Sequence, residues 1–119
     1  MDTLFLVAMI VEGLVALAAM FVPAARVLPP GEPVNLTPLL LTRLLGAALI
    51  SFPVLLWFAR KSTDMGFKRG AAYTLSTYYL VSILLLLVVQ LTVAMDPVVW
   101  GVIVIHGGLL LWFVYYLRK

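Results

Sequence analysis

The sequence predicts an all-α, four-helix transmembrane bundle, with residues 1–119 forming a single integral membrane domain. Three observations predict it. Four apolar runs, at about 3–22, 38–59, 71–95 and 97–117, take up nearly the whole chain. Each has about the 20 residues that a helix needs to cross a hydrocarbon core roughly 30 Å thick. The composition is 65% hydrophobic and 11% charged, with a mean hydropathy of +1.17, which is more apolar sequence than a soluble domain of this size can bury. Backbone in lipid must satisfy its own hydrogen bonds, so runs of this length are helices.

The first run starts Met-Asp with no leading Lys or Arg, is long, and contains Glu12. It reads as a retained span rather than a cleaved signal peptide. Ala8, Glu12 and Ala16 follow one another at four-residue steps and share one helix face, where small side chains let a neighbouring backbone approach. The segment 23–37 then carries, with Pro38, five of the seven prolines. It reads as turn and polyproline structure, long for a bundle connection and suited to docking on a partner. Thr37-Pro38 has the form of an N-cap followed by proline at the first helical position.

In the second run, Pro53 removes one helical hydrogen bond and opposes the carbonyl of Leu49, which predicts a kink. Ser51 is the expected neighbour for the freed group. Gly46 and Ala47 mark a helix contact. Arg43 lies about one turn inside the membrane and Gln90 of the third run falls near the same level. The two form a candidate polar cluster beneath the proline-rich loop, joined by Glu32 or Asp96. The alternative for Arg43 is a side chain that snorkels to the headgroups.

The loop 60–70 contributes Arg60, Lys61, Lys68 and Arg69, and the chain closes on Arg118-Lys119. Six of the eight Lys and Arg therefore lie on the face that bears the N-terminus, and Arg26 and Arg43 on the other. The positive-inside rule then places both termini in the cytoplasm, with a bacterial inner membrane as the expected location. Trp57, Trp112, Tyr115 and Tyr116 fall toward the basic face and Trp100 toward the opposite one, as interfacial rings do. The basic residues are read as topology signals and contacts to anionic lipid. They show no aromatic-interleaved groove for nucleic acid.

The third run is polar in its first half, with Tyr73, Thr74, Ser76, Thr77, Tyr78, Tyr79 and Ser82. This predicts a wet cleft, a contact with another subunit, or interhelical hydrogen bonds. Asp96-Pro97 repeats the capping device and makes a tight hairpin into the fourth run, where Gly101 and Gly108 are expected at a helix contact.

Two residues could carry function. Glu12 is about 13 Å along its span at 1.5 Å per residue, near the midplane, where an acid is costly and is a functional candidate by default. It is either a proton carrier or a neutral, hydrogen-bonded residue that locks packing. His106 lies roughly 16 Å from the same face. It is a packed hydrogen-bonding residue, a partner for Glu12 in a coupled pair, or a single ligand to a chlorophyll-type or haem tetrapyrrole, with Gly107-Gly108 leaving room for a flat ring. Lipids are the other expected cofactors, and no protein metal site is expected.

In outline the chain resembles the small multidrug-resistance transporters: four short spans, a similar length and a Glu in the first span. It departs from them in its strong charge bias and in Ile10-Val11-Glu12-Gly13-Leu14 around the acid. A second resemblance is carried by Leu41-Thr42-Arg43-Leu44-Leu45-Gly46-Ala47-Ala48 and Leu56-Trp57-Phe58-Ala59-Arg60. This stretch, residues 41–60, looks like small bacterial four-span proteins of unknown function, broadly DoxX-like. The resemblance implies a bacterial four-helix bundle.

The absence of cysteine excludes thiol redox chemistry, disulfides and cysteine-bound metals within the chain. There is no Ser/His/Asp set, phosphate-cradling glycine loop or paired-acid arrangement. The expectation is therefore a non-catalytic accessory or structural subunit of a larger membrane complex, such as a respiratory or photosynthetic one, and not an enzyme. The alternative is a small proton-coupled transporter or channel-like homo-oligomer that uses Glu12, with His106 as relay. Partners are the bilayer and other membrane subunits or further copies of the chain, with no nucleic acid.

Overall fold

The computed structural model describes residues 1–23, 31, 36–92 and 97–119. The described elements are all helices: α1 (Asp2–Met20), α2 (Thr37–Leu49), α3 (Ser51–Lys61), α4 (Met65–Thr92) and α5 (Pro97–Leu117). Because α2 and α3 continue one apolar stretch, four helical stretches, 2–20, 37–61, 65–92 and 97–117, are long and apolar enough to cross a membrane. The class read from the sequence, all-α with four long apolar helical stretches, is the class observed. Of the loop expected at 23–37, most lies outside the described residues, as do Arg26, Glu32 and Asp96.

The chain divides into two compact units, Phe5–Phe58 on the one hand and Met1–Leu4 with Ala59–Lys119 on the other. In the first, α1 and α2 meet at backbone distance. A Cβ on Gly46 would lie 2.7 Å from the carbonyl oxygen of Ala16 and 2.7 Å from the amide nitrogen of Met20. Only glycine permits that crossing, and close approach of this kind supplies van der Waals packing where lipid removes the hydrophobic drive between helices. Further along α1, Gly13 faces Pro53, whose Cγ would be 3.8 Å from a Cβ at Gly13.

The interruption expected from Pro53 falls three residues upstream, at Ile50, where α2 ends and α3 begins. Proline has no N–H for the carbonyl of Leu49, and its ring pushes that carbonyl away. The flanking bonds are long: Ile50 N to Gly46 O is 3.3 Å and Val54 N to Ile50 O is 3.4 Å, against an ordinary value near 2.9–3.0 Å. Ser51 was expected beside the carbonyl of Leu49. Its hydroxyl instead donates to the carbonyl of Ala48 at 2.7 Å, because a serine side chain reaches the backbone three or four residues behind it.

The start of α2 also differs from the expected cap. Leu36 holds the N-cap position without a side-chain cap, and Thr37-Pro38 are the first two helical residues. The proline still sits where its missing N–H costs nothing.

In the second unit, α4 begins at Met65 rather than at Ala71, which shortens the basic loop to Ser62-Thr63-Asp64. The cause is a cap. Asp64 Oδ1 accepts the N–H of Gly66 at 2.7 Å and Ser62 Oγ accepts the N–H of Asp64 at 3.0 Å, so the first turn has its orphan donor satisfied from outside the helix. From there α4 runs antiparallel to α5. Its buried residues Ala72, Leu75 and Tyr79 follow a 3–4 spacing, as do His106, Leu109 and Phe113 of α5.

Gly101 and Gly108 lie on the opposite side of α5 from His106. A Cβ at either would meet nothing within 4 Å. They are therefore not helix contacts within this unit: the buried side of α5 is filled by an imidazole, a leucine and a phenyl ring instead.

One end of this unit gathers the N-terminus, the start of α4 and the end of α5. Lys68 Nζ bridges to Asp2 Oδ1 at 2.8 Å, and Met1, Met65, Arg69, Tyr116 and Lys119 line a common pocket.

Candidate functional site

Three polar or charged residues are buried among the described residues: Glu12 at 0% exposure, Gln90 at 2% and His106 at 3%. Each is set by the packing stripe of its own helix. Along α1 the fully buried positions are Leu4, Phe5, Ala8, Glu12 and Ala16, so Glu12 occupies a core position of a 3–4 repeat. The face expected to unite Ala8, Glu12 and Ala16 is the buried face. Glu12 sits about midway along α1, and its chain neighbour Gly13 lies against Pro53. The interrupted stretch of α2 and α3 thus packs beside the middle of α1.

His106 sits about midway along α5 in an aromatic setting. The Tyr79 ring centroid is 5.1 Å from the imidazole centroid with planes at 39°, and that of Tyr78 is 5.8 Å away, edge-on at 64°. Tyr79 also packs on Phe113 at 6.0 Å and on Tyr78 at 5.5 Å. Ring pairs at such separations contribute about 0.5–1.5 kcal/mol each beyond burial. A tetrapyrrole metal needs an open approach to one imidazole nitrogen. Here the imidazole is nearly inaccessible and the two tyrosines flank it, an arrangement suited to packing and hydrogen bonding.

Tyr79 is the residue that sequence reasoning passed over. Its hydroxyl places it with the polar half of its span, yet it is 0% exposed and forms the centre of the cluster. The signal was present in its spacing, four residues after Leu75 and seven after Ala72, on the apolar stripe of α4.

Three of the hydroxyls in the polar half of α4 are used locally. Thr74 Oγ1 donates to Gly70 O at 3.0 Å, Ser76 Oγ to Ala72 O at 2.8 Å and Thr77 Oγ1 to Tyr73 O at 3.0 Å. Helical serine and threonine make such bonds to the preceding turn.

Arg43 is exposed on an open groove with Leu36, Leu39 and Leu40, a setting that allows its guanidinium to extend toward headgroups. It belongs to the unit Phe5–Phe58, and Gln90 to the other. Glu12 and His106 are likewise divided between the two units. No set of three or more His, Cys, Asp or Glu able to hold a metal ion occurs among the described residues.

No protein-family model matches this chain, and no curated protein and no solved structure matches it either.

Proposed function

We propose that this chain is a non-catalytic accessory or structural subunit of a larger membrane protein complex, such as a respiratory or photosynthetic one. It would sit in a bacterial cytoplasmic membrane with both termini inside. The observation that supports this reading is the placement of its polar groups. Glu12, Gln90 and His106 are all within the packed interior, and the hydroxyls of Thr74, Ser76 and Thr77 are engaged by their own helix. The outward faces are apolar, with Leu84, Val88 and Leu91 on α4 and Val104 and Leu111 on α5 among the most exposed side chains. Such a molecule is built to pack in lipid and against other apolar helices. The cytoplasmic assignment is supported by the basic residues, six of eight on the face of the N-terminus.

A second reading is favoured by one observation. Glu12 is a fully buried acid in the middle of a helix long enough to span a membrane, and such acids commonly mark proton pathways. On that reading the chain is a proton-coupled transporter or channel-like homo-oligomer, with Glu12 as proton carrier and His106 as relay.

Glu12→Gln separates the two readings, because it keeps the shape of the side chain and removes its titration. For a subunit, the variant should assemble with its neighbours in the wild-type ratio. For a transporter, it should abolish a pH-dependent flux in liposomes while leaving the homo-oligomer intact. Normal assembly of the variant with larger proteins, together with no flux from the wild type, would retire the transporter reading. A wild-type flux lost in the variant would retire the subunit reading.

A further inference from the structure

We propose that the end of the α4–α5 pair where the two chain termini meet is a binding site for the phosphate of an acidic phospholipid. The site is the pocket lined by Met1, Met65, Arg69, Tyr116 and Lys119, all within one compact unit. Arg69 comes from the second turn of α4 and Lys119 from just beyond α5, so the antiparallel pairing brings two cations from distant parts of the sequence to one concavity.

The two side-chain carboxylates described near this end, Asp2 and Asp64, are committed elsewhere. Asp2 pairs with Lys68 at 2.8 Å, and Asp64 Oδ1 accepts the N–H of Gly66 at 2.7 Å. Among the described residues no ion pair reaches Arg69 or Lys119. Lys119 Nζ is held 4.5 Å from the centroid of the Tyr115 ring, a cation–π contact that steadies the ammonium beside the pocket. Arg60, whose charge reaches Asp2, and Arg118, next to Lys119, add to the positive field of this end. A guanidinium fork matches phosphate geometry, the Tyr116 hydroxyl is a further donor, and Met1 and Met65 give the pocket an apolar wall.

Depth selects a lipid over a free anion. Met65–Arg69 precede the apolar stretch of α4, and Lys119 lies two residues beyond the end of α5. The pocket is therefore at the level where a span leaves hydrocarbon and enters the headgroups. Basic residues there each strengthen the attraction of anionic lipid by about fivefold. Inorganic phosphate could use the same donors but would gain nothing from the methionine wall. The proposal goes beyond a subunit role and holds for either functional reading. It rests on the four spans lying in a bilayer, and a chain that remained in the aqueous phase without detergent would overturn that premise separately.

The test is native mass spectrometry of the full chain, delipidated in detergent and titrated with phosphatidylglycerol or phosphatidylcholine, with and without millimolar inorganic phosphate. The expected result is retention of phosphatidylglycerol over phosphatidylcholine, undiminished by inorganic phosphate. Arg69→Gln and Lys119→Gln should each weaken it about fivefold, and Arg118→Gln, outside the pocket, should weaken it less than either. Arg69→Lys should recover part of the loss, which separates charge from a general disturbance of α4. Wild-type retention by the Arg69→Gln/Lys119→Gln double variant would overturn the site. Displacement of the lipid by inorganic phosphate would overturn the lipid assignment in favour of a small anion.

Discussion

A methyl group on Gly46 would meet two backbone atoms of α1 at 2.7 Å, and backbone cannot swing aside as a side chain can. Gly46→Ala should therefore cost about 1–3 kcal/mol, the range for overpacking a closed contact. Thermal unfolding in detergent should show a clear fall in midpoint. Gly101→Ala is the matched control. Nothing lies within 4 Å of its added carbon, so its stability should not fall, and helix propensity favours the alanine by up to about 1 kcal/mol. If the two variants behave alike, the α1–α2 crossing is not as close as described. His106 makes a second residue-scale prediction. Its packing against Tyr79 and Tyr78 predicts that His106→Leu loses about 1 kcal/mol of ring interaction and leaves the visible absorption of the purified chain unchanged. A lost absorption band would instead identify His106 as a pigment ligand. The sequence made the burial of Glu12 and His106 legible through their depth in apolar runs. It left the neighbours of His106 hidden, because Tyr79 carries a polar atom and was weighed as a polar residue, whereas its helical phase places its ring in the core.

Among the elements, the break between α2 and α3 is where local chemistry dominates. Pro53 withholds one N–H and displaces one carbonyl, and the chain responds with bonds of 3.3 and 3.4 Å around Ile50. Pro53→Ala should restore the missing bond and join α2 to α3 as one straight helix. Spin labels at Leu41 and Phe58, on the two sides of the break, should then report a longer distance. An unchanged distance would mean that the proline does not set the geometry of the break. The start of α4 shows the opposite relation between sequence and element. Apolarity alone places that start at Ala71, since Lys68 and Arg69 resemble loop. The Asp64 and Ser62 caps move it back to Met65, because a satisfied first turn extends the helix beyond hydrocarbon, where charged side chains carry no penalty. Hydropathy thus marks where a chain crosses lipid, and capping residues mark where the helix ends. In the Lys68–Asp2 bridge the Asp2 side chain is 60% exposed and that of Lys68 12%. Asp2→Asn, at the exposed partner, should change stability by no more than about 1 kcal/mol, read from the same unfolding curves.

For the whole molecule, four apolar helical spans were legible because the solvent leaves little choice: about 20 apolar residues in lipid must be a helix. Function was less legible for a related reason. Polar residues in such spans can serve packing or chemistry, and only their surroundings decide between them. Here the hydroxyls of Thr74, Ser76 and Thr77 turn back to their own helix, and His106 enters an aromatic core. Those surroundings support a molecule whose apolar outer faces meet lipid and partner helices, the accessory-subunit reading. Gentle native extraction, followed by a native gel and mass spectrometry of the band, tests that reading most directly. An accessory subunit runs in a band well above a low multiple of 13.1 kDa, with larger proteins present in fixed ratio to this chain. A band containing this chain alone, at a low multiple of that mass, would contradict that reading.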